Sequence, residues 1–284
     1  MMARERSVEG CPDSPRKNKD RSSDVDTDEE SFMESMGFLF ESSQPTRLEE
    51  FQWQFDGDRK IAVSVNVADD EPGAVQSGHY LWPAASLLAS YLVDHEAKSK
   101  VVSVVELGAG CGLASLTALQ VWQESLQCIV ITDHDPGTLL RARDNLETTL
   151  QRMVEIADDD DDLLNTVINT IASIPVAFES LQWGDADAVQ SIVLNQFSEH
   201  CNADFADMIL GSDLIYCQEV AEPLFKTAVQ LMDPNKGRFL MSQSFAYDPE
   251  TEEEIDRVCK NCNLQRTILQ EDDEGKCRIQ EFTP

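Results

Sequence analysis

From Phe51 onward the apolar positions fall into two rhythms. Phe51-Gln-Trp53-Gln-Phe55 alternates with period two, Asp56-Gly57-Asp58 supplies a turn, and Ile61-Ala-Val63-Ser-Val65 alternates again, which predicts a β-hairpin. Pro83 then opens a helical segment with Leu87, Leu88, Tyr91 and Leu92 on one face. After it, strand patterns at 101–106, 128–132, 174–179, 206–211, 237–243, 264–270 and 276–283 alternate with helical patterns over 112–123, 136–150, 186–198, 219–232 and 249–262. In 136–150, Leu139, Ala142, Leu146 and Leu150 recur at helix spacing with charges between them. Such alternation builds a mostly parallel sheet with helices on both faces. The last two strand segments have no helix between them, so they pair as an antiparallel hairpin. The expectation is an α/β sheet of seven strands, mostly parallel with the last antiparallel, preceded by the N-terminal β-hairpin.

Residues 1–46 mix charge with Ser, Asp and Glu and carry little apolar periodicity, which predicts a disordered acidic and polar extension before a domain spanning 47–284. Its apolar cluster, Phe32-Met33 to Phe38-Leu39-Phe40, would pack on the domain or on a partner. Asp158 to Asp162 is an unbroken run of aspartates. Charge that dense stays solvated, so an acidic loop is expected at about 151–172. The run lacks the alternating ligands and glycine of a calcium loop.

Charge narrows the partners. Among 284 residues, 53 acidic side chains against 22 basic ones give a net charge of -31, a field that repels phosphate backbones and argues against nucleic acid. No stretch approaches the roughly 18 apolar residues needed to span a bilayer. The opening MMARERSVEG lacks the apolar core of a secretory signal. The eight scattered cysteines are therefore expected as reduced thiols in a cytoplasmic or nuclear protein. Cys259-Lys-Asn-Cys262 has metal or redox spacing, but no second pair and no neighbouring histidine, so no metal is expected. No heptad seam is visible, and a monomer is the expectation.

The chemistry gathers at strand ends. Val101 to Glu106 runs into Leu107-Gly108-Ala-Gly110-Cys-Gly112, a glycine turn that opens a helix and exposes backbone N–H groups to a ligand. Any tight strand-to-helix turn uses such glycines. Here, however, a second strand ends in Asp133, the place of an acid that grips a ribose, as in Rossmann-like folds. The spacing G-x-G-x-G with Glu106 before it would repel a pyrophosphate but suits the ammonium and sulfonium of S-adenosylmethionine (SAM). Leu181-Gln-Trp183-Gly184 puts an aromatic near the sheet edge where an adenine would lie, although such a tryptophan also serves as core. The strand Ala206 to Ser212 ends in Asp213-Leu-Ile-Tyr216, across the topological switch point from the glycine turn, so Asp213 and Tyr216 are candidates for the acceptor site.

Taken together, Ser77-Gly-His-Tyr-Leu-Trp82-Pro-Ala-Ala85, the glycine turn, Thr132-Asp133, Leu181 to Gly184 and Ser212-Asp213-Leu-Ile-Tyr216 resemble the seven-β-strand methyltransferases of family 16, the lysine methyltransferase-like group. The resemblance covers about residues 48–284 and is strongest over 77–216. It implies a SAM site made by Trp82, Glu106, Gly108, Gly110, Asp133, Trp183 and Ser212. It also implies a lysine channel bordered by Asp213 and Tyr216, with Asp213 orienting the ammonium and Tyr216 hydrogen-bonding the amine, unless that acid caps the following loop or helix and the tyrosine merely packs. The implied substrate is a protein with an exposed lysine, of the chaperone or translation-factor class. A protein-histidine or small-molecule methyltransferase, or a silent SAM-binding module, has the same motifs. A nucleic-acid amino-methyltransferase usually carries two prolines where Leu214 and Ile215 stand.

Overall fold

The computed structural model describes residues 45–55, 59–69, 77–157, 162–201 and 204–284. The expected N-terminal extension with its Phe32–Phe40 cluster, the Asp56–Asp58 turn and Asp158–Asp161 lie outside the described residues.

Strands β1 (Thr46–Gln54) and β2 (Lys60–Ala68) form the antiparallel hairpin that their alternation predicts. A 3-10 turn, Ser77–His79, leads to α1 (Pro83–His95), which starts at proline because a first-turn residue needs no N–H partner. Then follow β3 (Ser103–Leu107), α2 (Leu113–Val121), β4 (Cys128–Asp133), α3 (Pro136–Ile156), α4 (Asp162–Ser173) and β5 (Val176–Ser180). Helix α5 (Ala186–Ile192) continues through a π turn, Val193–Phe197, to Ser198–His200. The chain closes with β6 (Met208–Ser212), α6 (Ala221–Leu231), β7 (Arg238–Gln243), α7 (Pro249–Asn261), β8 (Gln265–Glu271) and β9 (Arg278–Thr283).

The seven strands β3 to β9 form one sheet in the order β5-β4-β3-β6-β7-β9-β8. All pairs are parallel except those of β9, which is antiparallel to both β7 and β8. The chain runs outward from β3 to β5, then returns to place β6 against the other side of β3. That reversal is a topological switch point, the place where sheets of this kind form a ligand crevice at the C-terminal ends of the two strands.

Strand alternation divides the core. Val104, Ile129, Ile131, Met208 and Leu210 face one cluster with α1 to α4 and the hairpin. Val105, Leu107, Val130, Ile209 and Phe239 face the other with α5 to α7. Because both faces are covered, every residue of β3 and β4 is buried.

The hairpin's second edge is satisfied by side chains. Gln120 exchanges hydrogen bonds with both backbone groups of Ala62, Thr149 with those of Ser64, and Asn145 with those of Asn66. Helix side chains thus stand in for a third strand at an otherwise open edge.

Two expectations change. The acidic loop at 151–172 is mostly helix: α3 reaches Ile156 and α4 begins at Asp162. Leu164, Val167, Ile168 and Ile171 fall at helix spacing and pack on the core, a face that the neighbouring aspartates obscured. The cysteines also differ, since Cys128 and Cys201 are joined as a disulfide across 73 positions, while Cys111, Cys217, Cys259, Cys262 and Cys277 are free. Counting cannot find that pair, because tertiary packing alone brings the start of β4 to the end of the α5 segment.

Candidate functional site

Glu106 sits next to the last residue of β3 and is 1% exposed, on the face covered by α1 to α3. Its Oε2 accepts from the Ser115 amide, in the first turn of α2, at 3.1 Å. Burial pushes its carboxyl up to about 7, the charge of Asp133 adds to this, and the bond from Ser115 opposes it. Asp133 closes β4 and is also buried. Its Oδ2 accepts from the Gly110 amide at 3.2 Å, and its Oδ1 from the Asp135 amide at 3.1 Å.

Between the two acids runs the glycine turn. Gly108 has φ +58°, and a Cβ there would stand 2.8 Å from Leu214 Cδ2 and 3.3 Å from Trp183 Cζ2. The turn therefore needs glycine twice over, for its conformation and for its space. The same contact sets Trp183, half-buried, directly beside the turn. Trp82, 37% exposed, caps α1 through its backbone, and its indole N–H donates to the Ser77 carbonyl at 3.0 Å.

Across the crevice, Ser212 ends β6 in register with Ser242 of β7. Asp213 follows with a left-handed backbone, φ +50°. Its carboxylate accepts from the Ser244 amide at 2.8 Å, the Ser244 hydroxyl at 2.7 Å and the Ala84 amide at 3.3 Å. The expected alternative is a cap on the loop or helix that follows Asp213; the carboxylate instead accepts from the first turn of α1, far earlier in the chain. Burial raises the Asp213 carboxyl above its ordinary value, with Ser244 and Ala84 opposing. Leu214 and Ile215 are buried, which turns Tyr216 outward to 71% exposure.

The sequence profile of a family described as lysine methyltransferase matches residues 64–254. The chain belongs to that family. Similar proteins include the protein-lysine N-methyltransferase EFM3 of Saccharomyces cerevisiae, 21% identical over 233 residues covering 77% of this chain and 58% of the relative. The protein N-lysine methyltransferase METTL21A of Xenopus tropicalis is 28% identical over 57% of this chain and 59% of its own. The electron transfer flavoprotein beta subunit lysine methyltransferase of Danio rerio is 23% identical over 56% of this chain and 50% of its own. The matches thus span between half and three-fifths of those relatives' lengths.

For a lysine methyltransferase the donor set is chemically apt. Glu106 offers a carboxylate to a cation, Gly108 leaves the backbone bare, and Trp183 lies beside the turn. These residues suit a phosphate-free, positively charged nucleoside cofactor such as SAM. Among the described residues no group of three or more His, Cys, Asp or Glu side chains is placed to hold a metal.

Several residues of this family member's site escaped the sequence reading. Ser242 and Ser244 belong to a short polar run, Ser242-Gln243-Ser244, that closes the apolar strand Phe239 to Met241, and that switch at a strand end marks them in retrospect. Asn145 is fully buried on α3, where its donor Nδ2 reaches the Cys111 carbonyl at 2.9 Å. Its position between Ala142 and Thr149 on the inward face was the available clue.

Proposed function

We propose that this chain is a SAM-dependent protein lysine N-methyltransferase. One observation carries the reading: Glu106 with the glycine turn and the Asp213-x-x-Tyr216 segment end adjacent parallel strands, β3 and β6, while Asp133 ends β4 on the other side of β3. That adjacency supports a cofactor site and an acceptor site lying edge to edge, as in-line transfer requires.

When bound, SAM supplies a methyl group on a positively charged sulfur that becomes neutral on transfer. Glu106, Gly108, Gly110 and Asp133 would hold it, with Trp183 beside the adenine and Trp82 and Ser212 at the rim. The acceptor amine must be neutral to react, and a free lysine has a pKa of ~10.4. An apolar approach and a nearby cation both lower that value. Tyr216, exposed beside the crevice, would line the approach and hydrogen-bond the amine.

The net charge of -31 supports a protein partner with a basic surface. A cytoplasmic or nuclear site of action, a chaperone or translation-factor substrate and a monomeric chain belong to the same proposal.

The test uses tritium-labelled SAM with the purified chain and a nuclease-treated cell lysate. A discrete labelled protein that yields methyl-lysine on hydrolysis is expected. Methyl-histidine in the hydrolysate, or label confined to small molecules, would refute the lysine reading. SAM binding with no label in any fraction would favour the silent binding module.

A further inference from the structure

The carboxylate of Asp213 is committed to its own chain. Its three donors come from two other segments, Ala84 in the first turn of α1 and Ser244 just beyond β7. A second tie runs alongside: the Asp213 amide donates to the Ser242 carbonyl at 3.0 Å, and the Ser242 hydroxyl to the Ala84 carbonyl at 2.8 Å. Asp213 is one of two non-glycine residues with positive φ among the described residues. Such a conformation persists where the surroundings over-determine it, and here two other segments do so. An incoming ammonium would have to displace one of these donors or share an oxygen that is already engaged.

The knot also decides what stands beside it. Leu214 and Ile215, 4% and 1% exposed, anchor the chain after Asp213, and Tyr216 is left outside. Phe245 follows Ser244 directly, is 36% exposed and meets Tyr247 edge-on at 5.7 Å between ring centroids. Two solvent-facing aromatics thus flank the ends of β6 and β7, each within three residues of the clamp. Aromatic faces and edges receive both the aliphatic stem and the cationic head of a lysine.

We propose that Asp213 is a positioning residue rather than the ligand of the amine, and that Tyr216 and Phe245 meet the target lysine, Phe245 being a specificity-determining residue. The inference rests on the lysine reading above. The Asp213–Ser244–Ala84 clamp orients these two side chains, and the amine is met by the rings and the Tyr216 hydroxyl.

The experiment follows label transfer from tritiated SAM to nuclease-treated lysate at graded lysate concentration, with SAM affinity measured separately by calorimetry. Phe245→Ala is expected to raise the apparent KM for lysate protein about tenfold with kcat and SAM affinity within about twofold of wild type, and Phe245→Tyr to restore it. Ser244→Ala is expected to lower kcat several-fold, with rescue by Ser244→Thr. Asp213→Asn suits the left-handed backbone. Combined with Ser244→Ala, it should be no slower than the slower single variant within about twofold, because both act through one clamp.

Multiplied losses in the double variant, or wild-type labelling by Phe245→Ala at every lysate concentration, would overturn the proposal. Phe245 is exposed, so that arm stands even if a clamp variant fails to fold. A wild-type chain that binds SAM and labels nothing would instead overturn the lysine reading, and this inference with it.

Discussion

Asn145 donates from Nδ2 to the Cys111 carbonyl at 2.9 Å, and so joins α3 to the glycine turn. The same side chain takes the Asn66 amide on Oδ1 at 2.7 Å, which ties in the hairpin. One buried amide therefore connects the outer two-stranded sheet to the glycine turn of the inner sheet. Replacing it with alanine strands buried backbone groups, each costing about 1–3 kcal/mol. Asn145→Ala is expected to destabilise the chain by roughly that amount and to weaken SAM binding about tenfold. Thr149→Val breaks the sibling bonds to Ser64 without touching the turn. It should lose stability and keep its SAM affinity, as denaturation and calorimetry would establish.

On the reading proposed above, Glu106 should make SAM binding depend on pH. Burial, with the charge of Asp133, lifts its carboxyl from 4.5 to about 7. The folded chain therefore holds this proton more tightly than the unfolded chain. The stability this contributes is complete below about 4.5 and is lost as pH rises through about 7. A cationic ligand prefers the ionised form, so SAM affinity should run the other way. It should fall by up to about tenfold per unit below pH 7 and level off above it, with proton release on binding. Glu106→Gln should bind weakly and flatten the profile; an unchanged profile in that variant would locate the titrating group elsewhere.

Gly108 admits no side chain. Its φ of +58° disfavours any Cβ, and Leu214 Cδ2 would lie 2.8 Å away. Gly108→Ala should cost about 1–2 kcal/mol from the backbone conformation, with a further steric cost. It should also abolish measurable SAM binding by displacing Leu214 and Trp183. Chemical denaturation would read the first effect and calorimetric titration with SAM the second.

Phe225, Phe239 and Phe282 form an aromatic cluster on the face under α6, with centroids 4.7–6.0 Å apart. Phe282 pairs with Phe239 near the start of β7, at the other end of the strand from Ser242. Phe282→Ala should cost about 3–5 kcal/mol in chemical denaturation. Below the transition its SAM affinity should stay within about twofold of wild type. A selective loss of binding would mean that β9 communicates with the cofactor edge.

Apart from α4, the order of strands and helices, the hairpin and the residue types at the ends of β3 and β6 were legible in the chain. Each depends on local periodicity or on a short run such as Gly108-Ala-Gly110 or Asp213-Leu-Ile-Tyr216. Helix α4 was not read, because the run from Asp158 to Asp162 hid the inward spacing of Leu164, Val167, Ile168 and Ile171. Nor could the partners of Asp213 be read, since Ala84 lies 129 positions before it and Ser244 lies 31 after it.

What the sequence determined by itself was the kind of element at every place but α4 and the type of chemical group at its tip. Hydrophobic period and glycine conformation act within a few residues. The tertiary structure alone decided which of those groups remain free. It engages Asp213 with Ser244 and Ala84, joins Cys128 to Cys201, and sets Asn145 between hairpin and turn. A carboxylate, a thiol or an amide acquires its role from the donors and acceptors that folding brings within about 3 Å. Those neighbours come from distant parts of the chain.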